Sequence, residues 1–183
     1  MKKQKKQLII LIALLAVMLL ALVLVRFLPS DEEEEETVTY DVTTLDSSEV
    51  TALSFTNESG TFSFVKNGED WQYEEDSTLS IDAEQINTLI GKVSSYQSDN
   101  IIENVTDMSV YGLDNPTITI NLTTADQTVT IYIGDYNSTS YVYYMCLAND
   151  LHTVYTIQSA TINSYNNTVD DFIVEEETET ETK

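Results

Sequence analysis

Apolar and polar positions follow three patterns, in five stretches along the chain. Leu8 to Val25 is an unbroken apolar run of eighteen residues without a charge. From Ala52 to Tyr73, apolar and polar residues alternate in short stretches separated by turn residues. Ile81 to Tyr96 switches to helical spacing. Alternation returns from Thr117 to Ile157, and a last helical stretch carries Ile162, Tyr165, Val169 and Phe172.

At 1.5 Å per residue the first run spans about 27 Å as a helix, close to the hydrocarbon thickness of a bilayer. Lys2, Lys3, Lys5 and Lys6 precede it and the acidic block Asp31 to Glu36 follows. The positive-inside rule then keeps the N-terminal side in the cytoplasm and places the remainder outside. Leu24 to Pro29 contains no Ala-x-Ala-like cleavage site, and the only cysteine, Cys146, is too far downstream for lipid attachment. The run therefore reads as an uncleaved single-pass anchor in the cell membrane. The expected layout is a basic cytoplasmic segment (1–7), a transmembrane anchor (8–28), an acidic linker (29–49), an extracytoplasmic domain (50–173) and an acidic disordered tail (174–183).

Within the domain, Leu53 and Phe55 define a first strand, and Glu58-Ser59-Gly60 turns the chain. Phe62 and Phe64 define a second strand, Asn67-Gly68 a second turn, and Trp71 and Tyr73 share a face of the third. Asp82 opens a helix, with Gln85 in capping-box position and Ile81 and Ile86 in the staple positions. Ile86, Leu89, Ile90, Val93 and Tyr96 form its apolar stripe. Asp107 to Tyr111 reads as one helical turn that Gly112 stops, with Leu113 folding back over it. Asn115-Pro116 forces extended geometry. Ile118, Ile120 and Leu122, then Val129, Ile131 and Ile133, then Tyr141 to Leu147 and His152 to Ile157 give four more strands, and Gly134-Asp135 reads as the start of a loop. The expected fold class is α+β, mainly antiparallel sheet in two sheet-then-helix halves, preceded by a single transmembrane helix.

Charge narrows the partners. All 31 acidic residues follow Pro29, against Lys66, Lys92 and Lys183. Such a surface repels nucleic acid and anionic lipid headgroups, which excludes nucleic-acid binding. A lone cysteine forms no internal disulfide, so the fold rests on its core.

Candidate chemistry is sparse. Cys146 and His152 are each unique. With residues 148–151 as a hairpin loop, Leu147 faces His152 and Cys146 faces Thr153, so the sheet separates the two side chains. The acids Glu74-Glu75-Asp76, Asp135, Asp150 and Asp170-Asp171 lack calcium-loop spacing, and no His/Cys cluster suits zinc. No catalytic, metal or cofactor residues are expected. Tyr141, Tyr143 and Tyr144, clustered on one strand, are the candidate binding surface. Trp71 reads as a core anchor. Tyr111, Gly112, Asp114 and Pro116 read as a structural turn whose backbone hydrogen bonds Asp114 accepts.

Several of these residues carry a resemblance. Asn67-Gly68 shortly before Trp71, the amphipathic helix, and Tyr111-Gly112-Leu113-Asp114-Asn115-Pro116 resemble a bacterial domain-of-unknown-function family. So do Ile133-Gly134, the Tyr141 to Tyr144 strand and Val154 to Ile157. Two residues, Glu69 and Asp70, separate Gly68 from Trp71, where one is commoner. The resemblance implies one N-terminal membrane helix and, through members associated with gliding-motility-type ABC transporter components, a transport-accessory role. The resulting expectation is a non-catalytic interaction domain of an ABC-type transport or envelope complex, its partner a permease or envelope protein. An envelope glycan- or peptide-binding module is the alternative, and a hydrolase the third reading.

Overall fold

The computed structural model describes residues 2–27 and 38–174. They belong to two separate units, Met1–Thr37 and Val38–Lys183. The acidic block before Val38 and the tail from residue 175 lie outside the described residues.

In the first unit, helix α1 runs over Lys2–Phe27 and contains the whole apolar run. Its described side chains from Leu11 to Ala21 are all exposed. Among the described residues, no helix is long and apolar enough to cross a membrane. The side chains of residues 8–10, 22 and 24–27 fall outside that description.

The second unit is α+β. Its strands are β1 (Tyr40–Asp41), β2 (Ala52–Asn57), β3 (Gly60–Asn67), β4 (Asp70–Tyr73), β5 (Gln97–Ser98), β6 (Ile101–Ile102), β7 (Ile118–Thr123), β8 (Thr128–Asn137), β9 (Val142–Leu147) and β10 (Asp150–Gln158). The helices are α2 (Ala83–Ser94) and the single turn α3 (Ser159–Ile162). Eight strands form one sheet in the order β4-β3-β2-β7-β8-β9-β10-β6, and β1 pairs with β5. Every pairing is antiparallel.

The two expected halves therefore share a single sheet, joined where β2 pairs β7 from Ala52 opposite Thr123 to Thr56 opposite Thr119. The halves are also unequal. The second ends not in a helix matching α2 but in α3 and two 3-10 turns, Asn163–Asn166 and Val169–Phe172. These short turns still bury Ile162, Tyr165 and Phe172, as the apolar spacing anticipates.

Alternation puts Leu53, Phe55, Phe64, Ile120, Leu122, Ile131, Ile133 and Met145 on one face, all fully buried. Helix α2 lays Ile86, Leu89, Ile90 and Val93 into the same core. Asp82 caps it by accepting from the Glu84 and Gln85 backbone N–H groups, and Gln85 Nε2 returns to the Asp82 carboxylate at 3.1 Å. Tyr165 meets Phe55 edge-on at 5.5 Å, and its hydroxyl donates to the Leu89 carbonyl at 2.7 Å. Phe172 meets Phe64 edge-on at 5.6 Å. Trp71 is buried as expected, and its Nε1 donates to Asn87 on α2 at 3.0 Å.

The segment read as the end of a linker is part of this unit. Val42 and Leu45 are buried core residues. A helix leaves its last carbonyls without partners, and this segment supplies them at the end of α2. Thr43 Oγ1 donates to the Val93 carbonyl at 2.6 Å, and the Leu45 N–H donates to Ser94 at 2.7 Å. The folded unit thus begins near Val38 rather than at residue 50. It also includes Val174, expected in the tail, whose N–H donates to the Ser80 carbonyl.

Candidate functional site

Among the described residues, the sheet's second face carries a small buried cluster at one end. There Cys146 and Val154 are buried with Val105 and Leu113, and Ile102, Met108, Tyr111, Tyr132 and Tyr144 pack around them. The covering element is the 3-10 turn Met108–Tyr111, which Asp107 caps by accepting from the Ser109 N–H at 3.1 Å. Gly112 ends the turn in the left-handed region, φ 68° and ψ 17°, and donates to the Ser109 carbonyl. Leu113 then donates back to Met108 at 3.1 Å and buries its side chain, as the sequence anticipates. Tyr111 stands edge-on to Tyr144, ring centroids 5.0 Å apart.

Asp114 does not play the part expected of it. Its carboxylate accepts no hydrogen bond among the described residues, and it is exposed. Asp107, one turn earlier, accepts the turn's bonds instead. Pro116 stands just before β7, where Thr117 donates to the Ile133 carbonyl at 2.8 Å. Gly134 is not the start of a loop: β8 continues through it to Asn137, with a register irregularity between Ile133 and Tyr136.

The three tyrosines do not share a surface. Tyr141 precedes β9 and is exposed with φ 59°, an uncommon conformation for a residue with a Cβ. Its N–H donates to Asn137, and its carbonyl accepts from Ser159. Tyr143 lies on the core side beside Tyr136, ring centroids 5.0 Å apart. Tyr144 lies on the opposite side against Tyr111, its hydroxyl accepting from Asn137 Nδ2 at 3.0 Å. Neighbours along a strand alternate faces, so one platform cannot hold both Tyr143 and Tyr144. Asn137 was not singled out from the sequence. It also accepts the Thr139 N–H at 3.0 Å, and Asn-Ser-Thr-Ser is the turn composition that marks such a residue.

The hairpin carrying Cys146 and His152 is tighter than expected. Leu147 pairs with Asp150, leaving Ala148 and Asn149 as the turn, and an irregularity separates Asp150 from Tyr155. Cys146 is fully buried, and burial pushes its thiol up to about 11, with the Asp150 charge adding to the shift. His152 is exposed, and its Nδ1 lies 3.1 Å from the Val105 carbonyl. That carbonyl bond and the backbone pairing of Val105 with His152 fix the ring to the covering segment.

Recesses among the described residues of this unit include the following three. One of about 210 Å³ lies between α2 and the closing 3-10 turns and includes Asp82, Glu84 and Lys92. One of about 280 Å³ lies beside the covering turn and includes Glu103 and Asp107. A third, of about 250 Å³, is bounded by Val42–Leu45, Gln127–Thr130 and Leu147–Asn149. Among the described residues no group of three or more His, Cys, Asp or Glu side chains is placed to hold a metal ion.

A family described as a domain of unknown function, DUF4340, matches residues 71–183. The matched range begins within β4, so β2 and β3, which complete the sheet, precede it. No curated protein and no solved structure matches the chain.

Proposed function

We propose that this chain, which belongs to the DUF4340 family, is a single-pass membrane protein whose α+β domain works outside the cytoplasm by binding. The domain acts as an accessory to an ABC-type transport or envelope complex, and its partner is a permease or another envelope protein. The observation that carries this reading is α1. A helix apolar on every side is either a buried core element or a membrane span. Its described side chains from Leu11 to Ala21 are exposed within their own unit. Eighteen uncharged residues after four lysines match the thickness and polarity rules for an anchor.

The transport link is supported by the family resemblance that Tyr111 to Pro116 and the strands around them carry. A binding rather than catalytic role is supported by the state of the two residues best suited to nucleophilic chemistry. The Cys146 thiol is held protonated, and the His152 ring is tied to a backbone carbonyl.

Fractionation and protease protection test the placement. The full chain is expected in the carbonate-resistant membrane fraction, with its C-terminal side cut by protease added to intact protoplasts. Release by carbonate, or a mature N-terminus near Ser30, would end the anchor reading. Purification in detergent tests the role, since a permease subunit is expected to accompany the chain in stoichiometric amount. Purification without one rejects the transport assignment.

A further inference from the structure

The recess of about 250 Å³ differs from the other two in its chemistry. None of its eleven lining residues is ionisable, although the chain has 31 carboxylates. We infer that this recess is a binding site for one ring of a neutral saccharide.

Among its lining residues, the half-buried Val129 and Leu147 supply an apolar patch. Its exposed rim carries the Thr44 hydroxyl and the Gln127 and Asn149 carboxamides. These three side chains make no hydrogen bond to another described residue. The other three hydroxyls at the recess are committed, Thr43 to Val93, Thr128 to Thr123 and Thr130 to Asn121. A carboxamide donates and accepts at once, as a sugar hydroxyl does, so two carboxamides and a hydroxyl match a polyol without a net charge. The C–H face of a sugar ring would lie on Val129 and Leu147.

Charge chooses between ligands. An anionic sugar would meet a negative domain with no cation at the recess, and a basic peptide would find no carboxylate there to pair with. The volume lies below the usual range for a drug-sized ligand and suits one ring rather than a chain of them. All three walls are pinned by backbone bonds. Leu45 donates to Ser94, Thr124 donates to Gln127 across the turn between β7 and β8, and Ala148 donates to Thr130. A site held open in this way loses little freedom on binding. This inference does not depend on the membrane or transport reading.

The test is a solution NMR titration of the full chain in micelles of a detergent without a sugar headgroup. N,N′-diacetylchitobiose is the neutral probe, digalacturonate the anionic one and acetyl-trialanine amide the peptide. The chitobiose titration is expected to shift the Gln127 and Asn149 side-chain amide signals saturably. The double variant Gln127→Ala, Asn149→Ala changes two exposed positions and is expected to weaken that response about tenfold or more. Thr44→Val serves as a second variant if the double variant loses the native spectrum. Absence of a chitobiose shift, an equal response to digalacturonate or to the peptide, or a response undiminished in the variants overturns the site.

Discussion

Gly134 of β8 packs its backbone directly against that of Gly112. A Cβ on Gly134 would stand 3.0 Å from the Gly112 carbonyl carbon and 3.0 Å from Leu113 Cγ, and would overlap the Tyr111 carbonyl oxygen. A Cβ on Gly112 would in turn run into the Asp135 carboxylate and stand 2.9 Å from the Asp135 nitrogen. Two glycines thus let the covering turn lie flush on the sheet, which is one use of a glycine inside a strand.

Gly134→Ala is accordingly expected to cost about 3 kcal/mol, since backbone rather than a flexible side chain blocks the new methyl. Gly112→Ala adds the left-handed penalty of about 1–2 kcal/mol to its own collision. Urea unfolding measures both. A loss under about 0.5 kcal/mol for Gly134→Ala would show that the turn lifts freely from the sheet.

Gly91 predicts the opposite sign. It is exposed on α2, and nothing lies within 4 Å of the Cβ it lacks. Gly91→Ala is expected to stabilise the domain by about 1 kcal/mol, the propensity difference in a helix interior. A lower denaturation midpoint in the variant would contradict this.

The turn's two aspartates should behave differently. Asp107→Ala removes the cap and is expected to lower the melting temperature. Asp114→Ala, which breaks no hydrogen bond among the described residues, should leave stability within about 0.5 kcal/mol of the parent. Equal losses from both would restore the role for Asp114 that its sequence position suggests.

Acid should erase the Asp107 effect. Bonds from Ser109, its hydroxyl first and its N–H second, hold this carboxyl below its ordinary value, and Gln85 does the same for Asp82. A lowered folded value stabilises the native state above the unfolded value of about 3.9 and stops doing so as pH falls through the folded value. The melting difference between the parent and Asp107→Ala should therefore be full at neutral pH and shrink near pH 2. A difference that grows on acidification would reverse the sign.

Cys146 should resist modification. With the thiol buried and raised to about 11, thiol reagents at pH 8 are expected to label the native domain only as fast as it opens, and labelling should accelerate in denaturant. Fast labelling of the native form would place the sulfur in a reactive setting.

The strands and α2 were legible because each carries its own period: Leu53 and Phe55, Ile118 to Leu122, and the Ile86 to Val93 stripe. Gly112 was legible because a stop residue follows a short capped turn. What escaped depends on partners distant in sequence. Val42 and Leu45 follow no period, since they fill space and cap the end of α2 instead of lining an element of their own. Ala148-Asn149 lacks the glycine that marks a two-residue hairpin, so the sequence predicts a turn two residues longer than the one that forms. Grouping Tyr141, Tyr143 and Tyr144 counted proximity along the chain and overlooked alternation, and nothing in the sequence marks the positive φ of Tyr141. The neutral recess was invisible because its walls come from three segments that only the fold brings together.

The pairing of β2 with β7 also sets an order of events in time. Until Thr123 has been synthesised, β2 has no neighbour on that side. Until Tyr165 and Phe172 follow, Phe55 and Phe64 lack their edge-on partners. Productive collapse must therefore wait for the closing 3-10 turns, which favours slow folding. It also leaves the β2–β4 meander as the stretch that a chaperone would most need to shield while the rest is made.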